Sequence, residues 1–285
     1  MRFTIILSLL LPINSLLSSV SIKRYSREIN GNKVKVYEPK NLDKKNTHSL
    51  LFFTGGNALI TSEVYTDFLS TLANENFSVY VAPSDLDSVD DVIDTLSDEY
   101  LDVTNIGHSS GAVNVVQSAN KNKLIKRSIL LDPVDSDKLF KSFNFQSNLP
   151  FFSKKTNKLG FKYLKDLLVI NAKKSYEWKL MPLTIPFVPA FKMEVDDVTK
   201  DEVNVDFVEA ENFGHSDILN PFWGEIMHNT ISKGSDDRNE EVIDKYHFWL
   251  ANTIKNFINN NNILDTSDPE TLSPSNYETE NIELQ

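Results

Sequence analysis

Residues 102–111, DVTNIGHSSG, decide how the rest of the chain is interpreted. DVTNI is typical of a short strand, GHSSG of a sharp turn, and the small-residue stretch AVNVVQSAN that follows predicts a helix. A serine between two glycines, where a strand passes into a helix, is typical of an exposed nucleophile, because the strained turn projects the hydroxyl above the sheet. The glycines leave room for neighbouring backbone to pass close. Ser109 is therefore the candidate nucleophile.

Strand-like and helix-like segments alternate on both sides of this turn. Helices are predicted at 62–75 and 88–100, with Ser62 and Ser88 as their N-terminal caps. Strands separated by helices indicate βαβ units, and hence a parallel sheet with helices on both faces. The expected fold class is α/β, with a doubly wound, mostly parallel sheet in one domain over 25–258. Its other strands are predicted at 33–39, 49–56, 77–83, 127–134, 166–172 and 204–210.

The composition excludes several classes of protein. The chain has 285 residues, of which 40% are hydrophobic and 24% charged, as is typical of a globular protein. Its formal charge is −11, from 29 basic and 40 acidic residues, so a surface that binds nucleic acid is not expected. Cysteine is absent and the five histidines form no HExxH motif, so neither a disulfide nor a metal site is expected.

The two ends of the chain differ from the domain between them. A basic start, the apolar run FTIILSLLL and the small residues after it predict a secretory signal peptide over 1–21, with a mature chain that begins near Ile22. The expected destination is secretion, or an organelle reached through the secretory pathway; an uncleaved membrane anchor is the alternative. Residues 259–285 carry six carboxylates and no basic residue, which predicts an acidic, disordered tail.

A serine nucleophile needs a base that a carboxylate holds in place. Asp132 follows the strand SILL and precedes a proline, so it lies at the carboxyl end of a strand, where ligands bind in open α/β sheets. His215 lies in NFGHSD, directly after the predicted strand 204–210. We expect Asp132 and His215 to complete the site with Ser109. Glu177, in the loop after the next strand, is the competing acid.

Negative charge that develops on a substrate oxygen is best met by backbone N–H groups fixed in advance. One such group is expected from Ser110, the residue after the nucleophile. The second is expected from the turn TGGN after the strand SLLFF, where Gly56 is favoured. A plain tight turn is the alternative interpretation of these two glycines.

The segments GHSSGA, DPVDS and FGHSDILN, in this order, resemble the α/β-hydrolase superfamily, and specifically the chlorophyllase-like esterases. In that family a GHSRGG elbow carries the nucleophile, a DPVDG-like segment the acid and a YGHMD-like segment the histidine. The resemblance covers about 49–220 and implies an α/β-hydrolase fold with Ser109, Asp132 and His215 in those roles. Ser110 stands where the family has arginine.

Two further segments, 137–165 and 178–198, are rich in phenylalanine or proline and are predicted as lid-like insertions around an apolar pocket. Loops that pack on the core are the alternative.

The expected function is a serine carboxylester hydrolase that cleaves an apolar, long-chain or phytyl-type ester through an acyl-enzyme, with no metal or organic cofactor. An acyltransferase on the same site and a non-catalytic binding protein are the alternatives. The expected partner is a small-molecule or lipid-like ester, without nucleic acid and without a stable membrane span once the signal peptide is removed. The oligomeric state is left open.

Overall fold

The computed structural model describes residues 21–56, 60–134, 162–177, 179–180, 185–186, 203–230 and 233–260. The strands are β1 (Ile22–Ile29), β2 (Asn32–Pro39), β3 (His48–Phe53), β4 (Ser78–Val81), β5 (Asp102–His108), β6 (Arg127–Leu131), β7 (Asp166–Ala172), β8 (Lys179–Leu180), β9 (Ile185–Pro186) and β10 (Asn204–Ala210). The α-helices are α1 (Thr66–Asn74), α2 (Leu86–Glu99), α3 (Gly111–Lys121), α4 (Pro221–Thr230) and α5 (Glu240–Ile258). Short 3₁₀ helices occupy Lys44–Asn46, Ser62–Tyr65 and Lys173–Glu177.

Eight of the described strands form one sheet in the order β1-β2-β4-β3-β5-β6-β7-β10, and β8 and β9 pair separately. From β4 to β10 every neighbouring pair in this order is parallel, whereas β2 pairs antiparallel with both β1 and β4. Parallel neighbours end at the same edge of a sheet, so the loops after β3, β5, β6 and β10 meet there. This edge carries the candidate site.

Helices cover both faces of the sheet, which confirms the predicted doubly wound α/β fold. Along β3 the side chains alternate: Leu50 and Phe52 pack with α1 and α5, whereas Leu51 and Phe53 pack with α2 and α3. All four are at most 3% exposed. Burying one such side chain contributes about 1.5–3 kcal/mol, so the two cores hold the sheet at a fixed distance from the helices on either side.

The first strand was not predicted from the sequence. Most of β1 is exposed, because it is an edge strand, and its sequence IKRYSREI is largely polar, so it carries little of the apolar signal used to predict strands. It forms a hairpin with β2 through Asn30 and Gly31, whose φ angles are 47° and 81°. An Asn-Gly pair with both φ angles positive is the favoured two-residue hairpin turn, and this dipeptide was the available signal.

The predicted N-terminal caps were wrong. Helix α2 begins at Leu86, and its cap is Asp85, whose carboxylate accepts the N–H groups of Asp87 and Ser88. Ser88 is therefore already inside the first turn. Ser62 lies within the 3₁₀ helix that precedes α1, where the structure shows no side-chain cap.

Several predicted segments lie outside the described residues and stay predictions. They include almost all of the signal peptide 1–21, nearly all of the acidic tail 259–285, and most of the insertions 137–165 and 178–198. Among the helices that the structure describes, none combines the length and the apolar character needed to cross a membrane.

Candidate active site

The fold brings the three predicted residues together in one chain of hydrogen bonds. Ser109 comes directly after β5, Asp132 directly after β6, and His215 lies in the loop that follows β10. His215 Nε2 is 2.9 Å from Ser109 Oγ, and His215 Nδ1 is 2.5 Å from Asp132 Oδ2. In the neutral imidazole, Nδ1–H donates to the carboxylate, which leaves Nε2 to accept the serine proton.

Ser109 has a left-handed backbone, with φ of 57°. Three backbone hydrogen bonds hold this conformation: Ser109 N–H donates to Leu131 O (3.0 Å), and Ser109 O accepts from Ala112 (3.1 Å) and Val134 (3.2 Å). A non-glycine residue in this region is uncommon and persists only where its surroundings impose it. The bonds to Leu131 and Val134 come from the segment that also carries Asp132, so this segment fixes the nucleophile as well as the acid.

The two glycines around Ser109 are required by close backbone approach. A Cβ at Gly107 would lie 2.7 Å from Gly111 O, and a Cβ at Gly111 would lie 2.5 Å from Phe53 O and 2.7 Å from Thr54 O. These distances are shorter than any carbon–oxygen contact that real side chains make. The start of α3 therefore packs directly against the end of β3, as the flanking glycines predicted.

Asp132 is buried and its carboxylate is fixed by more than His215. Its Oδ1 accepts Ala172 N–H at 3.1 Å, and its Oδ2 accepts the Ser175 hydroxyl at 2.5 Å. Its backbone is also left-handed, with φ of 41°, and its N–H donates to Ile170 O at 2.7 Å. These contacts fix the Asp132 carboxylate in the orientation that faces the imidazole of His215.

Ser175 was not predicted as part of the site, although it is fully buried and shares Asp132 Oδ2 with His215. It lies in the 3₁₀ helix Lys173–Glu177, the loop in which Glu177 was the competing acid. A serine in a polar loop carries no signal by itself. Only the position of the loop beside the end of β6 could have identified Ser175.

The loop of His215 is anchored by a buried ion pair. Asp217 is fully buried and accepts the N–H groups of Gly214 (2.8 Å) and Ser235 (2.6 Å), and it pairs with Arg238, which is also buried. Burial raises the pKa of Asp217, while these donors and the Arg238 guanidinium act in the opposite direction. A Cβ at Gly214 would lie 2.2 Å from Lys233 O, so this loop and the segment before α5 are in close contact.

The two segments predicted to supply oxyanion donors lie next to Ser109 along the chain or in space. Ser110 immediately precedes α3, so its N–H belongs to the positive end of that helix. In the turn after β3, a Cβ on Gly55 would be 3.2 Å from Ser109 Cβ, so this turn lies directly against the serine. Gly56 has φ of 63°, a conformation that favours glycine. The N–H of Gly55 donates to Tyr65 Oη at 3.1 Å.

His108 is the last residue of β5 and directly precedes the nucleophile. Its ring lies beside that of His215, with centroids 4.5 Å apart and an interplanar angle of 35°. Its Nδ1 is 3.0 Å from Tyr65 Oη. Burial, with a smaller contribution from His215, holds the pKa of His108 well below its usual range, so this imidazole is neutral.

The other three histidines lie apart from this cluster. His48 pairs with Asp102 at the opposite edge of the sheet, where β3 and β5 begin. His228 Nδ1 accepts Gly234 N–H at 2.8 Å, and His247 is buried in α5 with Nε2 at 3.0 Å from Ile218 O. Over the described part of the chain, no group of three potential metal ligands comes together.

The arrangement can activate a hydroxyl for attack on a carbonyl carbon. His215 can take the Ser109 proton, and Asp132 can stabilise the resulting imidazolium.

Comparison with known proteins supports the fold. No protein-family model and no curated protein sequence matches this chain. Among solved structures, an esterase from Pyrobaculum calidifontis is similar over 84% of this chain and 85% of its own, with 13% sequence identity and a TM-score of 0.53. A mutant of the esterase rPPE is similar over 71% of this chain and 76% of its own, with 15% identity and a TM-score of 0.50. With its eight-stranded, mostly parallel sheet between two helical layers, the chain has the α/β-hydrolase fold.

Proposed function

We propose that this protein is a serine carboxylester hydrolase in which Ser109, His215 and Asp132 form the catalytic triad. The observation that carries the proposal is the continuous hydrogen-bonded chain from Ser109 Oγ through both nitrogens of His215 to Asp132, with all three residues at the carboxyl edge of the sheet. That the similar structures are of esterases agrees with this proposal.

The reaction proceeds in two steps. Ser109 Oγ attacks the ester carbonyl carbon while His215 Nε2 takes its proton, and the carbonyl oxygen becomes an oxyanion bound by the N–H groups of Gly56 and Ser110. Collapse of this intermediate breaks the ester bond, and His215 returns the proton to the leaving alkoxide. Water then attacks the acyl-enzyme by the same route and releases the acid.

For the substrate we propose an apolar, long-chain ester of the phytyl type. This part rests on the sequence alone: on the likeness of GHSSGA, DPVDS and FGHSDILN to chlorophyllase-like esterases, and on the aromatic-rich segments 137–165 and 178–198. Hydrolysis rates on p-nitrophenyl esters of increasing acyl length, and on chlorophyll a, test it. Rates that fall as the acyl chain lengthens would contradict the apolar-substrate proposal and leave the triad untouched.

The first prediction concerns the nucleophile. Ser109→Ala should lower kcat by on the order of 10⁴-fold or more while the protein stays folded, because the triad acts as a unit. Ester hydrolysis and labelling by a fluorophosphonate probe measure the effect. Ser70→Ala, which removes a hydroxyl that donates to Thr66 O within α1, is the matched control. It should keep both ester hydrolysis and labelling by the probe. Retention of more than a tenth of wild-type activity in Ser109→Ala would contradict the assignment.

A further inference from the structure

The hydroxyl of Tyr65 joins the candidate oxyanion turn to the nucleophile strand. Tyr65 is fully buried, and its Oη accepts Gly55 N–H at 3.1 Å and lies 3.0 Å from His108 Nδ1. Gly55 is in the turn after β3, and His108 is the last residue of β5, next to Ser109. We call this chain of three groups, Gly55, Tyr65 and His108, the Tyr65 bridge.

The ionisation of Tyr65 and His108 limits the directions that the hydrogen bonds of the Tyr65 bridge can take. Burial raises the pKa of the Tyr65 hydroxyl, so it keeps its proton. Burial holds the pKa of His108 well below its usual range, so one ring nitrogen is a lone-pair acceptor. Tyr65 Oη accepts Gly55 N–H, and it can donate its own proton to His108 Nδ1 when the neutral imidazole carries its proton on Nε2.

The Tyr65 bridge decides which N–H groups of the turn remain for a substrate. Gly55 N–H is used by Tyr65, so Gly55 itself is not an oxyanion donor. The next N–H belongs to Gly56, whose positive φ gives the turn a shape that other residues rarely adopt. A Cβ on Gly55 would lie only 3.0 Å from Tyr65 Oη, so the turn rests directly on the hydroxyl.

Aromatic contacts hold the bridge in place. The ring of Tyr65 packs edge-on against Phe52, with centroids 5.0 Å apart, and against His108 at 5.6 Å. His108 in turn packs against His215, the proposed base. Tyr65 and His108 therefore connect the turn, the nucleophile strand and the base within one buried cluster. A displacement of Tyr65 would change the positions of all three.

We propose that Tyr65 and His108 are positioning residues that hold the 54–56 turn in place for transition-state binding, so that the Gly56 N–H meets the oxyanion. This inference rests on the proposed function, because an oxyanion forms only if Ser109 attacks a carbonyl. Neither side chain transfers a proton in the reaction. Their role is to fix the backbone donor before the substrate arrives, so their loss should weaken binding of the transition state more than binding of the ester.

Steady-state kinetics of Tyr65→Phe and His108→Leu test the inference. Loss of one oxyanion donor lowers kcat by about 10²–10³-fold, and a donor that is displaced rather than removed should cost roughly 10- to 100-fold, with KM nearly unchanged. Affinity for a trifluoromethyl ketone, which forms an oxyanion on Ser109, should fall by a similar factor. His108→Asn should recover most of the activity, since its Oδ1 can replace Nδ1 as the acceptor of the Tyr65 proton.

Tyr80→Phe is the matched control. Its hydroxyl is also buried, in a 2.8 Å hydrogen bond with Tyr100, but it belongs to the core beside α2 and α3. A kcat loss in Tyr65→Phe no larger than in Tyr80→Phe, or equal losses in His108→Leu and His108→Asn, would overturn the inference. Wild-type protein that neither hydrolyses esters nor reacts with the fluorophosphonate would instead overturn the proposed function, and the inference with it.

Discussion

At the scale of single residues, the candidate site concentrates unusual backbone geometry. Ser109 and Asp132 both have positive φ angles, 57° and 41°, at the ends of the neighbouring strands β5 and β6. Strain of this kind costs about 1–3 kcal/mol per residue and persists where other contacts compensate for it. Here the compensation comes from mutual backbone hydrogen bonds: Ser109 N–H donates to Leu131 O, and Val134 N–H donates to Ser109 O.

The choice between two acids gives the sharpest prediction at this scale. Asp132→Asn should keep the fold and lower kcat by several orders of magnitude, because an amide at this position favours the wrong imidazole tautomer. Glu177→Gln should be nearly silent, since Asp132 already occupies the position beside His215 Nδ1. Measuring kcat for both variants under the same conditions distinguishes Asp132 from Glu177 as the acid. If Asp132→Asn kept the wild-type kcat while Glu177→Gln lost activity, the acid would instead be Glu177, one strand further along the sheet.

At the scale of elements, the site depends on how closely β3, β5 and α3 approach one another. The Cβ position of Gly111, the first residue of α3, lies against Phe53 O at the end of β3 and Thr54 O in the 54–56 turn. Only glycine fits there, because any Cβ would overlap Phe53 O and Thr54 O. The turn that carries Ser109 and the 54–56 turn therefore pack directly against each other, although they are far apart in sequence.

Gly111→Ala should push the 54–56 turn away from Ser109, and we expect both a lower Tm and a loss of kcat well beyond that of a simple helix substitution. Gly31→Ala is the control, because Gly31 also has a special backbone, with φ of 81°, but no atom lies within 4 Å of the Cβ position. It should lower Tm through backbone strain and leave kcat unchanged. Equal kcat in both variants would show that the close approach has no role in catalysis.

Much of this arrangement could be predicted from the sequence, because apolar strands and helical periodicity are local signals. The strand ends also placed Ser109, Asp132 and His215 at one edge. What could not be predicted depends on contacts between distant segments: Ser175 with Asp132, or Tyr65 with Gly55 and His108. Each of these is an ordinary residue in an ordinary stretch, and only the folded sheet gives it a partner.

At the scale of the whole molecule, two histidines are buried in the neutral state. Burial lowers the pKa of His247 to about 4 and holds that of His108 well below its usual range. Because both residues have ordinary pKa values once unfolded, near 6.5, the unfolded chain binds more protons in mild acid. Their contribution to stability is therefore fully present above about pH 6.5 and is lost as the pH falls.

We expect the free energy of unfolding to decrease between pH 6.5 and pH 4, with His247 alone accounting for roughly 3 kcal/mol of the loss. Urea denaturation at a series of pH values measures this. His247→Gln, which keeps a donor for Ile218 O and cannot titrate, should show a shallower decline than the wild type over the same range. Parallel declines in the two proteins would exclude His247 as a source of acid sensitivity.

The long sequence separations within the site carry a consequence for folding. Ser109 and His215 are 106 residues apart, and Asp132 and His215 are 83 apart. Closing loops of this length lowers the chain entropy before any contact stabilises the closed form. Contacts between such distant residues are therefore expected to form late in folding. No fragment that lacks β10 and the loop after it can hold His215 against Ser109. The proposed ester hydrolysis therefore requires that the last strand has docked, because only the complete sheet brings His215 to Ser109.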